Sequence, residues 1–380
     1  MKPNIIFCCV AQQRFDTLTP DLTPNLWQLS EEGTRYTNSY TCQSLIGFAK
    51  ACLQTGKYAT QVECFKNNDS IPETEKTLAL YFRENGYDSV NYDDCNLATE
   101  YINKKSGNNE KPFFLFVTDL NELCQKNNKK SQEEEVVDDK FNNYPIPDDL
   151  SFLKGDYKKE YPAYLSKINK LDFNIGMLVE ALKEKELYDN TVIIYTSVSG
   201  CHFKTRNKSF SNSCHESSIH TPLVIGGGAF KRGTVDDRLV SLIDLPPTLF
   251  HLAGIYIPSV FSGISILEQE ENDSQRENVF IQISESQVGR AIRTQKYKYS
   301  IKALGSGKAK KDSKVYFEDY LYDLENDPYE KMNLANDKNF KEIRKNLAKQ
   351  LSDEMEKAWE LKPKIRPAIK NSKKWYTEET

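Results

Sequence analysis

The chain has no surplus of positive charge: 51 Lys and Arg stand against 55 Asp and Glu, for a formal net charge of −4. Nucleic-acid-binding domains usually carry a basic excess, so no nucleic-acid partner is expected. No apolar stretch approaches the about 20 residues needed to cross a bilayer, and no membrane insertion is expected. The apolar run at residues 5–10 is short and lacks a small-residue cleavage site. It reads as a buried first strand and not as a signal peptide. Cysteines number nine, an odd count, and they are scattered through apolar contexts. That pattern excludes an ordinary disulfide framework and offers no zinc-type spacing. Reduced thiols in a cytoplasmic compartment are the expectation. No internal repeat is visible.

What is present is enough for a core. With 380 residues, 38% of them hydrophobic and 28% charged, the chain can hold one large α/β domain with a smaller companion. Strand-like runs at 5–10, 89–92, 112–117, 191–196 and 222–225 alternate with helix-like ones. The helical segments are 24–32 (Thr23 as N-cap, Gly33 as stop), one starting at 49–53, and 74–85. A long segment at 161–185 carries Tyr164, Leu165, Ile168, Leu171, Ile175, Leu178, Val179 and Leu182 on one stripe. This alternation predicts a doubly wound, mostly parallel sheet flanked by helices, occupying residues 1–275. From residue 276 the texture changes to short strands (279–284, 291–294, 297–301, 320–323) and a helix at 339–360. A smaller C-terminal α+β subdomain, residues 276–380, is expected there. Residues 126–150, with their runs of Lys, Glu and Asp, read as a solvated charged insertion.

The order of short blocks is more specific than the pattern. Lys2-Pro3-Asn4-Ile5-Ile6-Phe7, Gln13-Arg14-Phe15-Asp16-Thr17-Leu18 and Glu32-Gly33-Thr34-Arg35-Tyr36 open the chain. Ala51-Cys52-Leu53-Gln54-Thr55-Gly56-Lys57-Tyr58, Asp189-Asn190-Thr191-Val192-Ile193-Ile194-Tyr195-Thr196-Ser197 and Tyr322-Asp323-Leu324-Glu325-Asn326-Asp327-Pro328 follow. In this order they resemble the sulfatase family of the alkaline phosphatase-like superfamily, over nearly the whole chain.

The resemblance implies three requirements. A Cys or Ser in a C/S-x-P-x-R run becomes formylglycine, the nucleophile. A divalent cation, usually calcium, is held by acidic and amide oxygens. Lys, His and Arg side chains bind the sulfate and protonate the leaving group. Here the nucleophile position falls on Ile46, the proline position on Phe48 and the arginine position on Lys50. Isoleucine offers no nucleophilic atom. The metal positions fall on Ala11, Gln12, Val198 and Ser199. Where a Lys and a His are implied, Asp94 and Asn96 stand, close to Asp93. Cofactors are therefore expected to be none, with both calcium and formylglycine absent. The remaining anion-site candidates are Lys50, Lys208, His220 and Arg14, each also readable as a surface charge or a core hydrogen-bond partner. His202, His215 and His251 read as structural.

These losses together predict a catalytically inactive scaffold that works through protein partners, within a larger assembly. Its expected docking features are residues 126–150, the flexible hairpin loop at 305–311 and the tail at 364–380 with Trp375. The alternatives are a sulfuric or phosphoric ester hydrolase with a non-standard site, where Ser44 or Ser199 would be the nearby nucleophiles, and a module that binds a small anion through Lys50 and Lys208.

Overall fold

The computed structural model describes residues 2–64, 70–105, 111–119, 123–124, 137–230, 232–305 and 311–369. Residues 126–136, the body of the hairpin loop at 306–310, and the tail from 370 with Trp375 lie outside them, as do Asn121 and Glu122. Strand β1 (Asn4–Val10) is buried along its whole length. Its alternating side chains serve two separate cores, as a strand covered on both faces requires. Ile6, Cys8 and Val10 face one side, and Ile5, Phe7 and Cys9 face the other.

Helix α1 (Pro24–Glu32) carries proline in its first turn and stops at Gly33. A Cβ on Gly33 would lie 2.2 Å from the Ile225 carbonyl oxygen, so this residue must be glycine for the helix to pack. The capping role expected of Thr23 is not what the structure shows. Its hydroxyl donates to the carbonyls of Thr17 and Thr19. The free N–H groups of α1 are instead taken by Asp172, which accepts from Asn25 N–H at 3.1 Å and Leu26 N–H at 2.8 Å.

After β2 (Thr34–Tyr40) come α2 (Ile46–Thr55), α3 (Ala59–Val62) and α4 (Leu78–Glu84). Helix α2 starts at Ile46, ahead of the expected 49, and α4 is shorter than the expected 74–85. Strand β3 (Asp88–Tyr92), α5 (Cys95–Asn103) and β4 (Phe113–Asp119) follow. Residues 137–150 are not simply solvated, since Phe141 and Leu150 are buried in the same core as the long helix. Next are α6 (Asp148–Ser151), α7 (Tyr157–Glu184), β5 (Thr191–Ser197), α8 (Glu216–Ile219), β6 (Leu223–Gly226) and β7 (Thr234–Ser241). Helices α9 (Leu245–Leu252) and α10 (Ile266–Glu271) complete the first layer system.

The main sheet has the order β3-β4-β1-β5-β6-β2-β7, in which β6 alone runs against its neighbours. Helices α1, α5 and α7 cover one face, and α2, α4 and α9 the other. The second sheet is built from β8 (Asn278–Ile283), β9 (Gly289–Thr294), β10 (Tyr297–Lys302), β11 (Val315–Asp323) and β12 (Lys364–Arg366). It is antiparallel except for the β11–β12 pair. Helix α11 (Lys341–Lys357), shorter than the expected 339–360, packs against it through Leu347, Leu351 and Met355. Helix α2 lies between the two sheets. Ala49 and Leu53 join the main core, while Phe48, Ala51 and Cys52 join the second. No helix among the described residues is long and apolar enough to cross a membrane.

Candidate functional site

In an open parallel sheet, ligands bind beyond the carboxyl ends of the strands. Here β1, β4 and β5 end side by side, with Val10 in register with Asp119 on one flank and Ser197 on the other. A cavity of about 1010 Å³ opens nearby, lined by Gln12, Leu45, Ile46, Cys124, Lys208 and two residues of the second sheet. The start of α2 places Ile46 on its wall.

Around that edge the chain has made an apolar contact. Ala11 and Val198 are fully buried in one cluster, and Ile46 packs against it. Gln12 sits in the left-handed region at φ 61°, an unusual conformation for a residue with a Cβ. Its carbonyl accepts from the Tyr164 hydroxyl at 2.9 Å, and its Oε1 accepts from the Cys124 N–H at 3.0 Å. The Ser199 hydroxyl is buried and finds no hydrogen-bond partner among the described residues.

A calcium ion needs six to eight oxygens, several of them charged. Ala11 and Val198 supply none, and the Gln12 oxygen is engaged by a backbone N–H. These residues do not fit the ion. Among the described residues no group of three or more His, Cys, Asp or Glu side chains is placed to hold a metal. Formylglycine does not fit either, because Ile46 has no atom from which it can be made.

Of the four anion-site candidates, the structure brings only Lys208 to the cavity. Arg14 is buried and turned elsewhere: its guanidinium bonds Asp149 at 2.8 and 3.0 Å, Asp16 at 2.6 and 2.9 Å, and the Cys201 carbonyl at 3.0 Å. Those carboxylates use up the charge that a sulfate would need. His220 is stacked between Phe15 and Tyr40, and Nε2 lies 2.7 Å from the Thr37 carbonyl oxygen. Burial holds it down at about 4, against the opposing pull of Glu216, so it is neutral near pH 7. Lys50 faces Asp93 at 3.7 Å. Asp94 caps α5 by accepting from the Asn96 N–H at 2.7 Å. Ser44 donates to Asn212 Oδ1 at 3.0 Å, an amide oxygen that is not a base.

Sequence reasoning missed the contribution to this cavity of the second sheet, through Lys302 and Tyr320, and of Glu285 in its β8–β9 connection. No local motif marks them, because the chain brings them there only when β10 and β11 pack back onto the 207–215 segment. That segment is fixed by a buried charge cluster. Lys298 pairs with Glu216 at 3.1 Å and with Glu330, while Arg293 lies 3.5 Å from Glu216. Burial pushes Glu216 up, yet Lys298 and Arg293 outweigh it and hold the carboxyl at about 2. His202 and His215 lie close by. Burial, with Arg206 adding to it, lowers His202 to about 3 and His215 well below its ordinary value.

Against known proteins, the family model described as "Sulfatase" matches residues 89–255, and the one described as "N-sulphoglucosamine sulphohydrolase, C-terminal" matches 208–357. An ulvan-active sulfatase of Formosa agariphila is 25% identical, over 92% of this chain and 79% of its own length. Arylsulfatase K of Mus musculus is 31% identical across 34% of this chain and 23% of its own. A structure solved with its substrate, D-glucosamine-2-N,6-O-disulfate, superposes with a TM-score of 0.76. It covers 94% of this chain and 98% of that one at 19% identity, which shows the shared fold. The expectation of an inactive scaffold or structural protein is corrected by these comparisons. The relatives that align along most of the chain are named for sulfatase activity, not for a structural role.

Proposed function

We propose, on the premise that the chain belongs to the sulfatase family, that it is a sulfuric ester hydrolase with a non-standard site. The substrate class is a sulfated saccharide, taken into the cavity between the two sheets. The observation that carries this reading is Lys208 on the cavity wall at the carboxyl edge of the sheet, beside the hydroxyls of Ser209 and Ser213 and the amide of Asn212. An ammonium in a partly enclosed site suits a sulfate ester, whose non-bridging oxygens carry a negative charge.

With isoleucine at position 46 the sulfo group passes directly to water. The S–O bond to the sugar breaks, water's oxygen joins sulfur, and the sugar leaves as an alcohol with hydrogen sulfate as the other product. Lys208 orients the sulfate and offsets its charge, and neither a metal ion nor a covalent enzyme intermediate takes part.

A second reading is favoured by one observation, the absence of any nucleophilic atom on Ile46: the same cavity holds a sulfated anion without cleaving it. One experiment separates the two. Sulfate release from 4-nitrophenyl sulfate and from sulfated ulvan oligosaccharides is followed by ion chromatography, alongside calorimetric binding of the oligosaccharides. The hydrolase reading expects release above heat-inactivated protein and at least a tenfold drop in Lys208→Ala. Binding without release would sink hydrolysis and leave the anion-binding reading. Neither binding nor release would remove both.

A further inference from the structure

The cavity wall carries carboxylates as well as cations, and one of them is held in an unusual way. Glu285, in the connection between β8 and β9, lines the cavity with its backbone at φ 57°. That left-handed region disfavours a residue with a Cβ. The Ser286 N–H donates to the Ser284 carbonyl oxygen at 2.6 Å, which places Glu285 at the apex of a three-residue turn. With a positive φ at its centre such a turn is rare and strained. Strain of this kind persists where the surroundings over-determine it, and it gathers at ligand sites.

Asn212 supplies the constraint. Its Nδ2 donates to the Ser284 carbonyl oxygen at 2.7 Å, and its own carbonyl accepts from Ser286 Oγ at 3.1 Å, on either side of Glu285. The same residue fixes the loop that bears Lys208. Its carbonyl accepts from Asn207 Nδ2 at 2.8 Å, and its N–H donates to Ser209 Oγ at 3.1 Å. One asparagine thus sets a cation and a carboxylate of the cavity relative to each other. We propose that Glu285 is a specificity-determining residue: it accepts hydroxyl groups of the sugar ring whose sulfate Lys208 holds, and it rejects a ring that bears a second sulfate beside it. The assignment rests on Lys208 as the sulfate-holding group of the proposed function, and it applies whether the cavity cleaves its ligand or only binds it.

The other charges on the wall fit a single sulfate. Lys204 is paired with Asp156 and Lys302 with Asp319, each at 2.6 Å. Arg206 donates to the carbonyls of Glu330 and Tyr329 at 3.3 and 3.1 Å. Lys159 and Glu160, adjacent on α7, offset each other in net charge. A carboxylate accepts from sugar hydroxyls in charge-assisted hydrogen bonds, whereas a sulfate in their place meets a like charge. The substrate class narrows to a saccharide with one sulfate and free hydroxyls on the same ring.

The test uses the full chain and calorimetric binding of methyl galactoside 6-sulfate and its 2,6-, 3,6- and 4,6-disulfates. The wild type should bind at least one disulfate ten or more times more weakly than the monosulfate. Glu285→Gln and Glu285→Gly should bring that disulfate to within about twofold of the monosulfate. Glycine also relieves the backbone at this φ, so Glu285→Gly should melt no lower than the wild type. Equal binding of all four sugars by the wild type overturns the proposal, as does discrimination that survives in both variants. A melting temperature several degrees lower in Glu285→Gly overturns it too, because the carboxylate would then serve the fold and not the ligand. Binding of none of the four removes the sulfate site itself and the role of Glu285 with it, a failure distinct from equal binding of all.

Discussion

His202, His215 and His220 are buried, and burial holds each below its ordinary value, with His202 at about 3 and His220 at about 4. In the unfolded chain each takes a proton near pH 6.5; in the folded one it does not. The unfolded state therefore binds more protons as pH falls, and folding stability drops from about pH 6.5 down towards 4. Each histidine contributes up to about 1.4 kcal/mol per pH unit in that window. Urea midpoints measured between pH 7.5 and 4.5 should fall, and His202→Gln should flatten the slope. A midpoint independent of pH would remove this account. Arg14 gives a second prediction at this scale. Asp149→Ala leaves a guanidinium that is 1% exposed with Asp16 as the one carboxylate the structure shows paired to it, and should cost about 3 kcal/mol in urea unfolding. Arg14→Met combined with Asp149→Leu should recover much of that loss, because the uncompensated buried charge is gone.

Helix α2 is the element on which the architecture turns, since it serves both cores. Phe48, at the position where the resemblance implies a proline, is 1% exposed among Phe280, Tyr299 and Met355. Phe48→Ala should destabilise the protein by about 3–5 kcal/mol, read from chemical denaturation. A cost under about 1 kcal/mol would show that the second core does not depend on it. Other elements show what sequence can reveal. Strands β1 and β5 were legible because a continuous apolar run has few other uses, and α7 because its apolar stripe repeats. Its start was misplaced: Pro162 reads as a helix beginning, yet the helix runs back to Tyr157. Strand β7 was missed because Thr-Val-Asp-Asp-Arg exposes its first half as an edge, leaving only Leu239–Ser241 buried. Thr23 looked like a cap because it precedes a helix; its replacement by Asp172, from far along the chain, leaves no local trace.

At the scale of the molecule, the edge where the cavity opens was legible where it depended on motif order. Ile46 and Gln12 do line the cavity, and Ala11 and Val198 do stand at the ends of β1 and β5. What was illegible was orientation: Arg14, Lys50 and His220 share the neighbourhood in sequence but are drawn off by Asp149, Asp93 and Thr37. The donor set at this edge makes a prediction for the whole protein. Its melting temperature should be the same in EDTA as in millimolar calcium, because a ligand of the folded state alone would raise it. A rise of several degrees with calcium would contradict the fit described for Ala11, Gln12, Val198 and Ser199.

The charge cluster at Lys298 has one more consequence. Lys298 is completely enclosed, and its two carboxylate partners come from distant parts of the chain: Glu216 from the segment leading into the main sheet, Glu330 from the loop beyond β11. Pulling the sheets apart would leave Lys298 with Glu330 on one side and strand the Glu216 carboxylate, deprived of both Lys298 and Arg293, on the other, a penalty met only while the sheets stay together. Heat therefore has no natural halfway point at which to pause. The two sheets are different in architecture and separate in sequence, but thermodynamically they share one fate.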